Sequence, residues 1–146
     1  MSLDIILKWG RKSDSRNITH NAGKIARHVI LHDIRGEGTI TLYDVLWNHA
    51  DKNMKAGDLI EDLSEGLRLL SANKSKLKRY ETIIKKEPTM KDGHMVIQKL
   101  PREKWYKWGS LEDTDRYGRR FGLIPFVEEI LILCIKHPDA RVIWSR

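Results

Sequence analysis

A single cysteine leaves this chain no internal disulfide. Cys134 lies in the apolar run Ile130 to Ile135, the setting of a buried, inert thiol rather than a nucleophile or metal ligand. That usage predicts a reducing compartment. Long apolar stretches are missing too. Met1 to Trp9 is broken by Asp4 and Lys8, so no signal peptide is expected there. Leu123 to Ile135 holds Pro125, Glu128 and Glu129 and is too short and too charged to span a bilayer. A cytoplasmic protein without membrane contact follows as the expectation. Phosphate-cradling G-x-x-x-x-G-K loops, the dinucleotide glycine fingerprint and zinc-ribbon cysteine pairs are all absent, so no cofactor is expected.

What is abundant is positive charge. Twenty-seven Lys and Arg against 20 Asp and Glu leave a net charge of +7, which favours anionic partners. The excess is local. Lys74, Lys76, Lys78, Arg79, Lys85, Lys86, Lys91, Lys99, Arg102, Lys104 and Lys107 face only Glu81, Glu87, Asp92 and Glu103 in the same stretch. The preceding segment is acidic on one side through Asp58, Glu61, Asp62 and Glu65.

Periodicity predicts a strand at Leu3 to Trp9, closed by a polar stretch from Gly10 to Arg16. Asn17 is placed to cap a helix whose apolar positions Ile18, Ala22, Ile25, Ala26 and Val29 carry it to about His32. Gly36 to Gly38 predicts a turn, and Thr41 with Asp44 a capping box opening a second helix. Leu59, Ile60, Leu63, Leu67 and Leu70 form one stripe of a helix over Lys55 to Ser71, with Asn73 as its C-terminal cap. A basic helical segment is expected from Lys74 to Lys86, stopped by Pro88. Asp92-Gly93 predicts a turn before a short strand at His94 to Gln98. An irregular stretch from Pro101 to Gly122 leads to a last helix, Leu123 to His137, and a terminal strand at Arg141 to Ser145. Two end strands pair most economically in one small sheet. The expectation is therefore one α+β domain over residues 1–146, with four or five helices packed on that sheet and a basic insert at about 74–120.

Three stretches carry a resemblance. They are Asn17-Ile18-Thr19-His20-Asn21-Ala22-Gly23-Lys24-Ile25-Ala26, then Lys55-Ala56-Gly57-Asp58-Leu59-Ile60 with Glu65-Gly66-Leu67, and finally Gly122 to Glu128 with Pro138-Asp139-Ala140-Arg141-Val142 and Ser145-Arg146. In that order they resemble small uncharacterised accessory proteins of bacteriophages and other mobile elements, which have an N-terminal strand followed by an Asn-Ile-Thr-His-Asn helix start. Trp108-Gly109-Ser110 is similar to a step those proteins carry just before their last helix, although here Leu111 to Phe121 intervenes. The resemblance implies a viral origin, residence in the host cell and a small accessory role such as counter-defence.

Two places suggest chemistry. Asn17, Thr19, His20 and Asn21 cluster at the expected helix start, with Lys24 one turn later. Free backbone N–H groups and the positive end of the dipole would there accept phosphate or carboxylate. Ordinary capping is the plainer explanation. The second place interleaves cations with rings: Trp105 and Trp108 among Lys99, Arg102, Lys104 and Lys107, then Arg116, Tyr117, Arg119 and Arg120, with Arg146 at the end of the sequence. Cations neutralise phosphates while bases stack on aromatic rings. Burial of one or both tryptophans in the core is the competing explanation.

Joined in one pocket, these residues make the leading expectation: a non-catalytic protein that binds a nucleotide or other phosphate-bearing partner, sequestering a signal or blocking a host immune protein. A direct DNA- or RNA-binding surface over Lys74 to Arg120 is the alternative. A third is a small phosphotransfer or hydrolytic enzyme built on His20, an imidazole being suited to general acid–base work. His28 and His32 have a metal-compatible spacing, but Val29 stands where a zincin glutamate belongs and no third ligand is evident, so neither a metal nor a catalytic set is assigned.

Overall fold

The computed structural model describes residues 2–48, 53–112 and 122–145. Alternation in the first segment builds β1, Ser2–Trp9, which buries Leu3, Ile5 and Leu7 on one face. Gly10, at φ 59°, takes the first position of a two-residue turn, a left-handed conformation that glycine adopts without steric cost. The chain then returns as β2, Lys12–Thr19, antiparallel to β1 with Ser2 opposite Thr19 and Trp9 opposite Lys12.

This corrects two expectations. The polar stretch after Gly10 is a strand, and Asn17 caps no helix. Instead Asn17 sits in β2 opposite Asp4, and its side-chain amide donates to Asp4 Oδ1 at 2.7 Å. Helical structure starts only at a 3-10 turn, His20–Ala22, and α1, Gly23–Ala26. It stops short of His32 because Ile30–Ile34 forms β3, paired with β4, Gly38–Thr41. The β-branched Ile30 and Ile34 find cross-strand partners, which outweigh their modest helix propensity. The expected apolar set nevertheless lies inside: Ile18, Ala22, Ile25, Ala26 and Val29 are all buried.

Thr41 and Asp44 close the anticipated capping box on α2, Leu42–Trp47. A 3-10 turn at Ala56–Leu59 leads into α3, Ile60–Ala72, and the Asn73 side chain donates to the Leu69 carbonyl at its end. The basic helical segment is shorter than expected: α4, Lys74–Leu77, and a 3-10 turn at Lys78–Tyr80. Four strands follow. They are β5, Ile83–Ile84; β6, Lys86–Lys91; β7, His94–Lys99; and, after a 3-10 turn at Arg102–Lys104, β8, Tyr106–Lys107. Pro88 therefore lies within a strand rather than ending a helix. The final pair is α5, Leu123–Lys136, and β9, Arg141–Ser145.

The α+β expectation holds, and so does the pairing of the two ends. β9 runs antiparallel to β1, which makes a sheet of order β2-β1-β9. Leu3, Ile5, Leu7 and Val142 from that sheet share a core with Phe126, Val127, Ile130 and Cys134 of α5 and Leu63 and Leu70 of α3. Cys134 is buried as expected, and burial pushes its thiol up to about 11. No helix among the described residues is long and apolar enough to cross a membrane.

Candidate functional site

The turn that ends β2 is already occupied. Thr19 Oγ1 accepts the Asn21 N–H at 3.1 Å, so Thr19 is the cap, and the same hydroxyl donates to the Trp108 carbonyl at 3.4 Å. Gly109 presses on Asn21 and Ala22 so closely that a Cβ there would lie 2.8 Å from the Asn21 carbonyl carbon. His20 meets the Trp47 ring edge-on at 6.3 Å; Trp47 stacks on Tyr43, and Arg27 covers Tyr43 at 3.9 Å. Thr19 lies beside Trp108, and Asn21 beside Gly109. On the insert's side the contact is made by the backbone of Trp108 and Gly109, not by the Trp108 ring. Lys24 is exposed. Arg116, Arg119, Arg120 and Arg146 lie outside the described residues.

The histidines separate. His28 stacks on Tyr80 with ring centroids 3.5 Å apart, and His32 Nε2 contacts Asp62 Oδ1 at 2.8 Å. No group of three His, Cys, Asp or Glu side chains suited to a metal exists among the described residues.

The basic insert is built in two tiers. At its root, β5 pairs with β8, and Thr82 and Trp108 join through the Trp108 N–H and the Thr82 carbonyl. Glu81 anchors this root: it accepts the Leu111 N–H at 2.9 Å and pairs with Lys107 at 3.2 Å. Ser110 bridges to Gly122, and its carbonyl accepts the Leu123 N–H at the start of α5. The Trp-Gly-Ser step therefore does abut the last helix in space, across the sequence gap.

Beyond the root the chain bends. Trp105 sits at the bend, where its indole N–H donates to the Leu100 carbonyl. Its ring lies 4.7 Å from Lys85 Nζ and 5.9 Å from Arg102 Cζ, so it is exposed and flanked by cations, not taken into the core. β6 and β7 then form a two-stranded arm with six rungs, from Lys86 opposite Lys99 to Lys91 opposite His94. Every residue of β7 is exposed, and nothing between Ile83 and Trp105 joins the core. Lys74 and Lys107 are neutralised by Glu112 and Glu81. Lys76, Lys78, Arg79, Lys85, Lys86, Lys91, Lys99, Arg102 and Lys104 are exposed and have no ion pair among the described residues.

Sequence reasoning missed one further feature. Val29, Ile30, Leu69 and Leu77, with His28, Asn73, Lys76, Arg79 and Tyr80, line a cleft of about 380 Å³. Its walls come from segments far apart in the chain, and no local pattern joins them. No family model, curated protein or solved structure matches this chain.

Proposed function

We propose that this protein is a nucleic-acid-binding module whose contact surface is the basic arm and the bend beneath it. One observation carries this reading. A two-stranded hairpin lends nothing to the core, its strand β7 is exposed throughout, and Lys85, Lys86, Lys91, Lys99, Arg102 and Lys104 on and beside it have no ion pair among the described residues. An isolated hairpin is marginal in water, so a surface of this kind is completed by what it binds. Uncompensated Lys and Arg exchange condensed counterions for phosphate contacts, a favourable trade at ordinary salt. As part of the same proposal, the resemblance to mobile-element proteins supplies the setting: a host cytoplasm, where the module would compete for nucleic acid that an immune effector uses.

Fluorescence anisotropy with labelled duplex and single-stranded oligonucleotides over a salt series tests this reading. Affinity is expected to fall steeply with salt. Each of K85A, K86A, K99A and R102A is expected to lower the slope by about 1 for each phosphate that the shortened side chain no longer reaches. Absence of binding at low salt, or a slope that the four substitutions leave unchanged, refutes it.

The cleft favours a second reading, a compact site for one phosphorylated small molecule. Its apolar lining residues suit a ring, and Lys76, Arg79 and His28 suit its phosphate. A single nucleotide there would show a shallow salt dependence, and R79A would abolish binding while K99A would not.

A further inference from the structure

We infer that the arm acts on duplex DNA as a minor-groove wedge, with the Met90–Met95 rung as the inserted edge; this rests on the nucleic-acid reading above. The pleat sorts the six rungs onto two faces. Glu87, Gln98, Thr89, Val96, Lys91 and His94 share one. The other face carries Lys86 and Lys99 at the base, then Pro88 with Ile97, then Met90 with Met95 near the tip.

On β6 burial runs against polarity. Glu87 and Thr89 are half-buried, whereas Met90, Met95 and Ile97 are 63, 65 and 66% exposed. In a hairpin shaped only by its own stability the apolar face would turn inward. Here it is presented to solvent, bordered by two lysines on the same face. A cationic base and, on the same face, an apolar rung one short of the tip match the two demands of minor-groove wedging: phosphates to neutralise on either side, and a step between bases to prise open. Methionine suits the second demand, being unbranched, polarisable and free of hydrogen-bonding groups that base edges would have to satisfy. Asp92 and Gly93 at the tip, with φ of 52 and 78°, form the left-handed turn the hairpin needs. The Asp92 carboxylate is the one tip group that opposes phosphate, and Lys91 and His94 flank it.

A short DNA duplex with 2-aminopurine at its central step and a donor–acceptor pair at its ends tests this, using the full chain. Binding is expected to raise aminopurine fluorescence through unstacking and to shorten the end-to-end distance. M90A/M95A should return both signals to those of free duplex while keeping the salt slope, and M90L/M95L should restore them. D92N should tighten binding. Circular dichroism checks that each variant is folded.

Salt-dependent duplex binding without unstacking overturns the wedge and leaves the nucleic-acid reading standing. Loss of all binding to DNA and RNA, by contrast, removes both. Preference for single strands or RNA overturns the wedge. So does sedimentation of the DNA-free protein as a dimer that M90A/M95A dissociates, since a second copy would then cover the apolar face.

Discussion

The hydroxyl of Thr19 ties the turn after β2 to the carbonyl of Trp108, 89 positions along the chain, at 3.4 Å. Gly109 makes that closure possible, because an added Cβ would meet Asn21 at 2.8 Å and the Ala22 nitrogen at 2.9 Å. Those neighbours are largely backbone and cannot swing aside. G109A is expected to cost about 1–3 kcal/mol as overpacking, read as a lower urea midpoint with an unchanged m-value. An unaltered midpoint would show that the root of the arm is not locked to this turn.

Asp44 provides a pH-dependent contribution at the start of α2. The Thr41 N–H, foremost, holds its carboxyl below the ordinary value of 3.8; the Asn48 and Thr41 side chains and nearby Arg27 act in the same direction, against the effect of burial. A depressed folded pKa means that the stabilisation is complete above 3.8 and is lost as pH falls through the lower folded value. D44N is therefore expected to flatten the acid limb of a stability–pH curve, and T41A to lower stability by about 1 kcal/mol at neutral pH. Chemical denaturation at several pH values reads both.

The arm should open before the core does. Few buried contacts and exposed ladder bonds define the low-stability end of a structure. Limited trypsin digestion is expected to cut first at Lys86, Lys91 or Lys99, with β1, β9 and α5 kept in one compact remainder. Amides of β7 should exchange well ahead of those of β1. First cleavage within β1 or β2 would contradict this ordering.

Cys134 should be silent in the native protein. With its thiol pushed up to about 11, almost no thiolate exists at neutral pH, and the side chain has no solvent exposure. A thiol reagent is expected to react only in denaturant, with one equivalent per chain. Rapid native labelling would mean that α5 opens locally. C134S should cost about 1–3 kcal/mol, the penalty of a buried hydroxyl without a partner.

Local chemistry made several features legible. Alternating Leu3, Ile5 and Leu7 announce β1, the Thr41–Asp44 spacing announces the cap of α2, and Asp92-Gly93 announces the arm's turn. The pairing of the two end strands followed from economy and is present. Strand β2 was not legible. Apart from Ile18 it is polar throughout, and it is a strand because a tight turn lays it against β1. Likewise, Asn17 reads as a cap until register places it opposite Asp4.

Composition by itself determined that the chain is basic, without a disulfide, apolar enough to fold, and most cationic between Lys74 and Lys107. Only tertiary structure decided where that charge is effective. Glu81 and Glu112 neutralise two of its lysines, and the Thr19 hydroxyl is engaged by the remote carbonyl of Trp108. The Met90–Met95 face is turned to solvent. Charge and helix propensity are properties of a residue and its near neighbours. Burial, closure and pairing belong to partners that chain folding alone brings together.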